Sequence, residues 1–345
     1  MPCYSPLKGW KDAETGGITF RRDGCKETME VGCGQCLGCR LDRSRMWAMR
    51  IAHESALHES TGGNSFITLT YRDKHECDDE QLRGGYHIPD DWSLSKKHWQ
   101  DFMKRLRKAF APQTIRFYAV GEYGNRCKHR IDLDRTVCPL CQVGRPHYHA
   151  VLFNCSFPDL VPYSTGVDGS LRTTSPFLEK IWKYGFVDVG DVNFDSAAYV
   201  ARYCLKKRTG NMADDHYMLY DLDGVVTFVT PEFALMSRGR PCKVHRRIQL
   251  DCDDCEGGIG WRWYAKYKDD LFPSDEVPVP GFGVVKGMPR YYEKLFEVED
   301  SLTLAEIKKL RQEFMKAHAE DYTPQRLFSK YKVAKDRCSL LNRSL

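Results

Sequence analysis

HYHAVLF, residues 147–153, decides how this chain is read. Val151, Leu152 and Phe153 favour a strand, and successive side chains on a strand point to opposite faces. His147 and His149 therefore face one way and Tyr148 the other. Two imidazoles fixed on one rigid face suit a divalent cation. Just upstream, IRFYAVGEYG (115–124) reads as a second strand ending in a glycine turn. If the two strands are antiparallel neighbours, Glu122 sits near the start of the histidine strand. A carboxylate beside two imidazoles is a mixed N/O set that accepts Mg2+ or Mn2+ and leaves positions open for water and phosphate. The zinc-hydrolase pattern, with a further acid and histidine, is absent, because Val151 and Leu152 stand there.

Working outward, FITLTY (66–71) is a strand by its β-branched content and alternation. SKKHWQDFMKRLRKAF (95–110) is an amphipathic helix with Ser95 as N-cap, Pro112 past its end, and Trp99, Phe102, Met103, Leu106 and Phe110 as its apolar stripe. PFLEKIWKYG (176–185) is a short helix and FVDVGDV (186–192) a strand. SAAYVARYCLKKR (196–208) is a helix with Asp195 as its N-cap. The order β-α-β-β-α-β-α predicts an α+β domain whose central sheet is mainly antiparallel and flanked by helices. Three parts are expected: residues 1–60, a Cys-rich segment followed by a helix from Leu37 to about His58; residues 61–210, the sheet domain; and residues 211–345, an extension. The extension mixes short strands with an aromatic cluster, WRWYAKY (261–267), and ends in helices, one of them opened by the capping box Thr303-x-x-Glu306.

The helix at 196–208 carries the third chemical element. Tyr199 and Tyr203 are four residues apart and share a face, about 6 Å apart along the axis. At about 100° per residue, Arg202 and Lys206 join them, while the small Ala197, Ala201 and Cys204 form the packing side. The tyrosines are thereby offered to a cleft beside two cations.

The chain has 345 residues, 42% of them hydrophobic, enough for a sizeable core. Lys and Arg number 52 against 47 Asp and Glu, a formal net charge of +5. The surplus is local: Lys96, Lys97, Lys104, Arg105, Arg107 and Lys108 crowd one helix, and Arg202, Lys206, Lys207 and Arg208 another, as a phosphate backbone requires. No apolar leader is visible and no stretch approaches the roughly 20 residues of a membrane span, so an intracellular protein is expected. Fifteen cysteines then speak for metal rather than disulfides. Cys33-x-x-Cys36-x-x-Cys39, completed by Cys3 or Cys25, has the spacing of a four-thiolate zinc site. Cys127, His129, Cys138 and Cys141 have ribbon-like spacing for a second zinc. Cys252-x-x-Cys255 has no obvious second pair.

As an ordered set, FITLTY, GEYG, RPHYHAVLF and AAYVARYCLKK resemble the HUH endonuclease superfamily. More narrowly, they resemble the rolling-circle replication initiators of the microviruses, gokushovirus-like single-stranded DNA phages. CGQCLGCR (33–40), FMKRLRK (102–108) and EFALMSRGRP (232–241) also resemble that group, and the likeness is looser beyond Gly210. The resemblance implies His147, His149 and Glu122 as ligands of the catalytic metal. It implies Tyr199 and Tyr203 as paired nucleophiles, Lys206 or Lys207 beside the phosphate, and a sheet open to DNA on one face. Attack would leave a 5′-phosphotyrosine and a free 3′-OH at a single-stranded DNA origin. One phosphodiester replaces another, so no nucleotide need be hydrolysed, and the sequence carries no G-x-x-x-x-G-K-[ST]. A host helicase and polymerase in the bacterial cytoplasm are the expected partners, and Lys104, Arg105, Lys108, Arg202 and Lys207 the expected DNA contacts. The alternatives are a non-catalytic zinc-containing nucleic-acid-binding protein, with tyrosines stacking on bases, and a metallohydrolase that uses water.

Overall fold

Alternation builds the central sheet. In Asn64–Tyr71 every second residue, from Ser65 through Ile67 and Leu69 to Tyr71, is fully buried, and the residues between are half-buried. The structure is a computed structural model that describes residues 3–12, 17–21, 28–131, 138–141, 143–166, 169, 171–202, 207, 213–220, 222–246, 248, 252 and 254–340. It divides into two compact units, Trp47–Tyr292 and the pair Met1–Met46 with Glu293–Leu345. In chain order the elements that matter are α1 (Leu37–Ala56), β1 (Asn64–Tyr71), α2 (Lys96–Ala109), β2 (Arg116–Tyr123) and β3 (Pro146–Phe153). They continue with β4 (Val161–Thr165), β5 (Leu171–Thr174), α3 (Pro176–Trp182), β6 (Gly185–Gly190), α4 (Phe194–Arg202), β7 (Phe233–Met236) and α5 (Trp261–Leu271).

Seven strands form one sheet in the order β7-β2-β3-β1-β6-β5-β4, and every pairing is antiparallel. One face is closed by α2 and α3. Trp99, Phe102, Met103 and Leu106 of α2 and Leu178, Ile181 and Trp182 of α3 pack on Leu69, Tyr71, Tyr148, Ala150 and Leu152. Tyr148 illustrates the fit. Its ring is buried, and its hydroxyl meets Tyr71 Oη at 2.8 Å and donates to the Ser95 carbonyl at 2.8 Å, where α2 begins. Ser95 caps α2 as its sequence position predicts, accepting from His98 N at 3.2 Å. Truncating Trp99 to alanine in such a core costs about 3–5 kcal/mol. The second face is covered in part. Ile51 of α1, Ala197 and Val200 of α4, and Ile259 pack on Tyr118, Val120, Val151 and Phe153.

The fold departs from the sequence expectations, or adds to them, in five places. Helix α4 starts at Phe194, earlier than expected, and its cap is Asn193 rather than Asp195. Asn193 Oδ1 accepts from Ser196 N at 2.8 Å, and Ser196 Oγ accepts from Asn193 N at 2.9 Å. The stretch after Phe153, for which the sequence shows no strand period, holds the β4–β5 hairpin, which widens the sheet. Its residues are polar or exposed and carry no two-residue hydrophobic period. FALM (233–236) supplies the edge strand beside β2, from beyond Gly210. WRWYAKY is helical, within α5, and Trp261, Trp263, Tyr264 and Leu271 are buried on it. The helix expected from Thr303 runs Ser301–Ala317, and Asp300 caps it by accepting from Thr303 N at 2.9 Å.

Candidate metal centre and nucleophile

Three strands position the metal centre. β2 and β3 pair so that Glu122 lies directly opposite His147, and β1 lies on the other side of β3 with Thr68 opposite His149. Both ladders are continuous through these rows, so the side chains are held by backbone that is already hydrogen-bonded. Glu122 Oε1 lies 2.7 Å from His147 Nε2 and 3.2 Å from His149 Nε2, and the two Nε2 atoms are 3.1 Å apart. Three donors on one octahedral face, with bonds near 2.1 Å, stand about 3 Å from each other. The donor set therefore fits one hexacoordinate cation with three further positions free for water and phosphate oxygens.

The other ring nitrogens are engaged. His147 Nδ1 donates to the Arg145 carbonyl at 3.0 Å, which sets its tautomer, and His149 Nδ1 meets Thr68 Oγ1 at 2.9 Å, a hydroxyl that can accept from it. With Nδ1 protonated, each imidazole presents a bare Nε2 lone pair. Glu122 is 2% exposed. Burial alone would raise its pKa, but His147 and His149 outweigh burial and hold the carboxyl down to about 2.

Helix α4 brings Tyr199 to this face. Its ring lies 5.3 Å from the His149 ring, edge to face, and 6.1 Å from Phe66. Ala197, Val200 and Ala201 are buried on the packing side, as the small residues predicted. Burial raises the Tyr199 phenol above its usual range; the Glu122 charge adds to this, and Arg202 and Arg172 oppose it. The hydroxyl is neutral at pH 7 and needs help to become a nucleophile. Tyr203 and Lys206 lie outside the described residues. Arg202 is half-buried and Lys207 exposed.

Lys104, Arg105 and Lys108 do not join the centre. They ride on α2, which packs against the face opposite the histidines. Arg105 is engaged there, donating through Nε to the Ile181 carbonyl at 2.8 Å and through Nη2 to that of Trp182 at 3.2 Å. Lys104 stands 3.5 Å from Asp101.

The sequence reading missed Thr68 and the polar row beyond it. Asp188 pairs with Thr68 on the strand next to β1, and so shares the histidine face. Burial raises its carboxyl, against Arg172 of β5 and a hydrogen bond from the Tyr163 hydroxyl. Phe186 and Tyr163 are exposed. The threonines of FITLTY, alternating with Ile67, Leu69 and Tyr71, are the signal that this face is polar.

The cysteines gather as the spacing anticipated. Cys3, Cys33, Cys36 and Cys39 form one group, and Cys127, His129, Cys138 and Cys141 another, and none is in a disulfide. Cys3 Sγ is 3.6 Å from Cys33 Sγ and 3.7 Å from Cys36 Sγ. Cys138 and Cys141 Sγ stand 3.4 and 3.6 Å from His129 Nδ1. A tetrahedral zinc with bonds of about 2.3 Å to sulfur and 2.0–2.1 Å to nitrogen sets edges of about 3.8 Å for S–S and 3.6 Å for S–N. Both groups can hold zinc on that geometry. Cys25 lies outside the described residues. The second group closes the connection between β2 and β3, whose base is tied by Gly124 N donating to the Arg145 carbonyl at 2.9 Å, two residues from His147's own pairing row. No helix among the described residues is long and apolar enough to cross a membrane.

Residues 64–131 and 137–208 match the sequence profile of the family "Replication-associated protein ORF2/G2P". Replication-associated protein VP4 of Bdellovibrio phage phiMH2K is 27% identical over 301 residues, 86% of this chain and 78% of the relative. Replication-associated protein ORF2 of Spiroplasma virus 4 is 27% identical over 83% of this chain and 74% of its own length. Replication-associated protein ORF4 of Chlamydia phage 1 is 30% identical over 55% of this chain and 42% of its own length. No solved structure shows significant similarity to the chain.

Proposed function

We propose, with residues 64–208 a domain of the replication-associated protein ORF2/G2P family, that this chain initiates replication of a phage genome as a two-tyrosine nickase of single-stranded DNA. The observation that carries the reading is the convergence of Glu122, His147 and His149 within 3.2 Å of one another, beside the Tyr199 ring at 5.3 Å from His149. A nuclease that used the histidines only as core residues would have no need of three ligand atoms meeting at one point.

Glu122, His147 and His149 would hold Mg2+ or Mn2+, which polarises a scissile phosphate and stabilises the charge that builds on it. Tyr199, with Tyr203 four residues on in the sequence, supplies the attacking oxygen. Its phenol loses a proton, the tyrosyl oxygen bonds to phosphorus, and the departing 3′ oxygen takes up a proton to become the free 3′-OH that primes synthesis. The bound 5′-phosphotyrosine conserves the phosphodiester energy, so a second tyrosine can repeat the step while the first remains linked. Lys206 and Lys207 lie next in sequence and would meet phosphate oxygens.

The DNA path follows the histidine face rather than α2. From Thr68 the face runs to Asp188, Arg172, Tyr163 and Phe186, a row of one guanidinium and two exposed rings on the part of the sheet farthest from β7. Exposed rings stack on unpaired bases and a guanidinium meets phosphate. Arg202 and Lys207 border the same face through α4. Host helicase and polymerase in the bacterial cytoplasm would supply unwinding and synthesis, for which no nucleotide-binding loop is present in the sequence.

Incubation with end-labelled single-stranded origin DNA and Mn2+, followed by a denaturing gel, tests the reading. A protein-linked label that disappears with EDTA supports it. Cleavage with no adduct makes water the nucleophile. Binding without cleavage leaves a non-catalytic DNA-binding protein.

A further inference from the structure

We infer that Cys242, His245, Cys252 and Cys255 form a third structural zinc site, separate from the two cysteine groups that the sequence spacing predicts. Cys252-x-x-Cys255 lacks a partner pair of the same form in the sequence. The fold supplies one of a different form, Cys242-x-x-His245. Cys242 Sγ lies 3.2 Å from His245 Nδ1 and 3.9 Å from Cys252 Sγ, and Cys255 Sγ lies 3.6 Å from His245 Nδ1. These separations bracket the tetrahedral edges of about 3.8 Å for S–S and 3.6 Å for S–N that zinc imposes.

The surroundings are those of a metal-held loop. Arg240 and Glu256 exchange both backbone hydrogen bonds, at 2.6 and 3.0 Å, and so pin the two ends of the segment together. The ligand pairs sit just inside that bridge. Cys255 N donates to the Cys252 carbonyl at 3.1 Å, closing a tight turn, and Cys242 N donates to Cys255 Sγ at 3.5 Å, a contact that favours a thiolate. Among the described residues the loop's aliphatic side chains are exposed: Val244 is 85% exposed, and Ile248 is exposed as well. A loop whose aliphatic side chains are turned to solvent gains order from metal binding. A disulfide would not account for the arrangement, because a histidine contributes nothing to it and Cys242 and Cys252 are unbonded.

The site is tied to the sheet that bears the metal centre. Arg116, at the start of β2, donates to the Gly257 carbonyl at 2.9 Å and pairs with Glu54 at 3.0 Å, both buried. Just before the loop, Ser237 N donates to the Phe117 carbonyl at 2.9 Å, continuing the β7–β2 ladder. The zinc would fasten the chain between edge strand β7 and helix α5.

The test measures metal, not activity. The full chain, purified without chelator, is analysed for zinc beside its Cys252→Ser variant. The variant is expected to carry one zinc fewer per chain; unchanged zinc content overturns the site. A second variant, His245→Cys, keeps four ligands and therefore folding. In the cobalt-substituted protein it should keep the metal content and move part of the d–d absorption from a three-sulfur, one-nitrogen toward a four-sulfur pattern. A cobalt spectrum identical to that of the wild type overturns the assignment of His245, whether or not Cys252→Ser is soluble.

Discussion

The sheet triad and the cysteine groups could each hold a metal ion, and they are built in opposite ways. Glu122, His147 and His149 stand on adjacent strands whose ladders run unbroken through them. Cys127, His129, Cys138 and Cys141 stand in a stretch whose described residues contain turns and no helix or strand of their own. In the first case the backbone places the candidate ligands, and a metal would add chemistry. In the second a metal would itself supply the order that a short loop cannot gain from burial. A removable ion suits catalysis and a locked one suits architecture, so the two regions should answer differently to the same treatments.

The sharpest contrast is mutational. His149→Ala should lower nicking on the order of a thousandfold or more, since several kcal/mol of charge stabilisation go with the ion. It should move the melting temperature by only about 2 °C. Assays of adduct yield and thermal unfolding on the same preparation check both halves. A large loss of stability would mean that the triad is part of the fold rather than a site set upon it.

Cys141→Ser should do the reverse in kind. Its zinc content should fall by one per chain, and its melting temperature by on the order of 10 °C, a change of several kcal/mol for a unit of this size. Brief EDTA treatment should remove nicking while leaving the melting curve near that of the untreated protein, because thiolate-held zinc exchanges more slowly than an ion bound through one carboxylate and two imidazoles. Equal sensitivity of both properties to EDTA would erase the distinction.

Much of this was legible in the sequence. The faces of His147, Tyr148 and His149, the opposition of Glu122 and His147, and the packing side of α4 all follow from periodicities of two and 3.6, which are local. The stripe on α2 was legible for the same reason. Of its basic residues, Arg105 satisfies two carbonyls at the end of α3, a demand visible only once the helices are packed. The β4–β5 hairpin and the β7 edge were hidden because short, exposed or single-face strands leave no hydrophobic period. The pairing of Cys242 and His245 with Cys252 and Cys255 was hidden because it depends on the bridge between Arg240 and Glu256, a contact closed by folding.

A smaller effect is expected where the two regions meet. A Cβ on Gly144 would stand 1.6 Å from the Gly124 carbonyl oxygen, a backbone atom that cannot turn aside. Gly144→Ala must therefore spread the base of the β2–β3 connection, beside Glu122 and His147. Mn2+ affinity, followed by titration calorimetry, should weaken by roughly tenfold, the range seen when support behind a ligand is disturbed. Wild-type affinity in this variant would mean that the loop and the triad are mechanically independent.

A pH effect distinguishes ligand histidines from a buried histidine that is not one. His53 is sandwiched against Trp263 at 3.5 Å, with Nδ1 2.8 Å from Tyr292 Oη and Nε2 3.0 Å from the Pro278 carbonyl. Burial pushes its pKa down to about 4, against the Pro278 carbonyl. The unfolded chain takes up this proton near pH 6.5, so the contribution is complete above that pH. It declines as pH falls through the window to about 4, by about 3 kcal/mol in all. Urea unfolding across that range should show the slope with or without EDTA, and His53→Asn should flatten it. A slope that vanishes with chelator would assign it to metal ligands instead.

On the proposed mechanism Tyr199 of α4 or Tyr203 becomes covalently joined to DNA at the triad. The direct measurement is to digest the adduct formed with a short single-stranded origin oligonucleotide and Mn2+, and to map the modified peptide by mass spectrometry. The account predicts a 5′-phosphonucleotide on Tyr199 or Tyr203, and no adduct at all when both are replaced by phenylalanine in a protein that still folds and binds DNA. A nucleotide mapped to any other residue, or an adduct formed by the double variant, would contradict it.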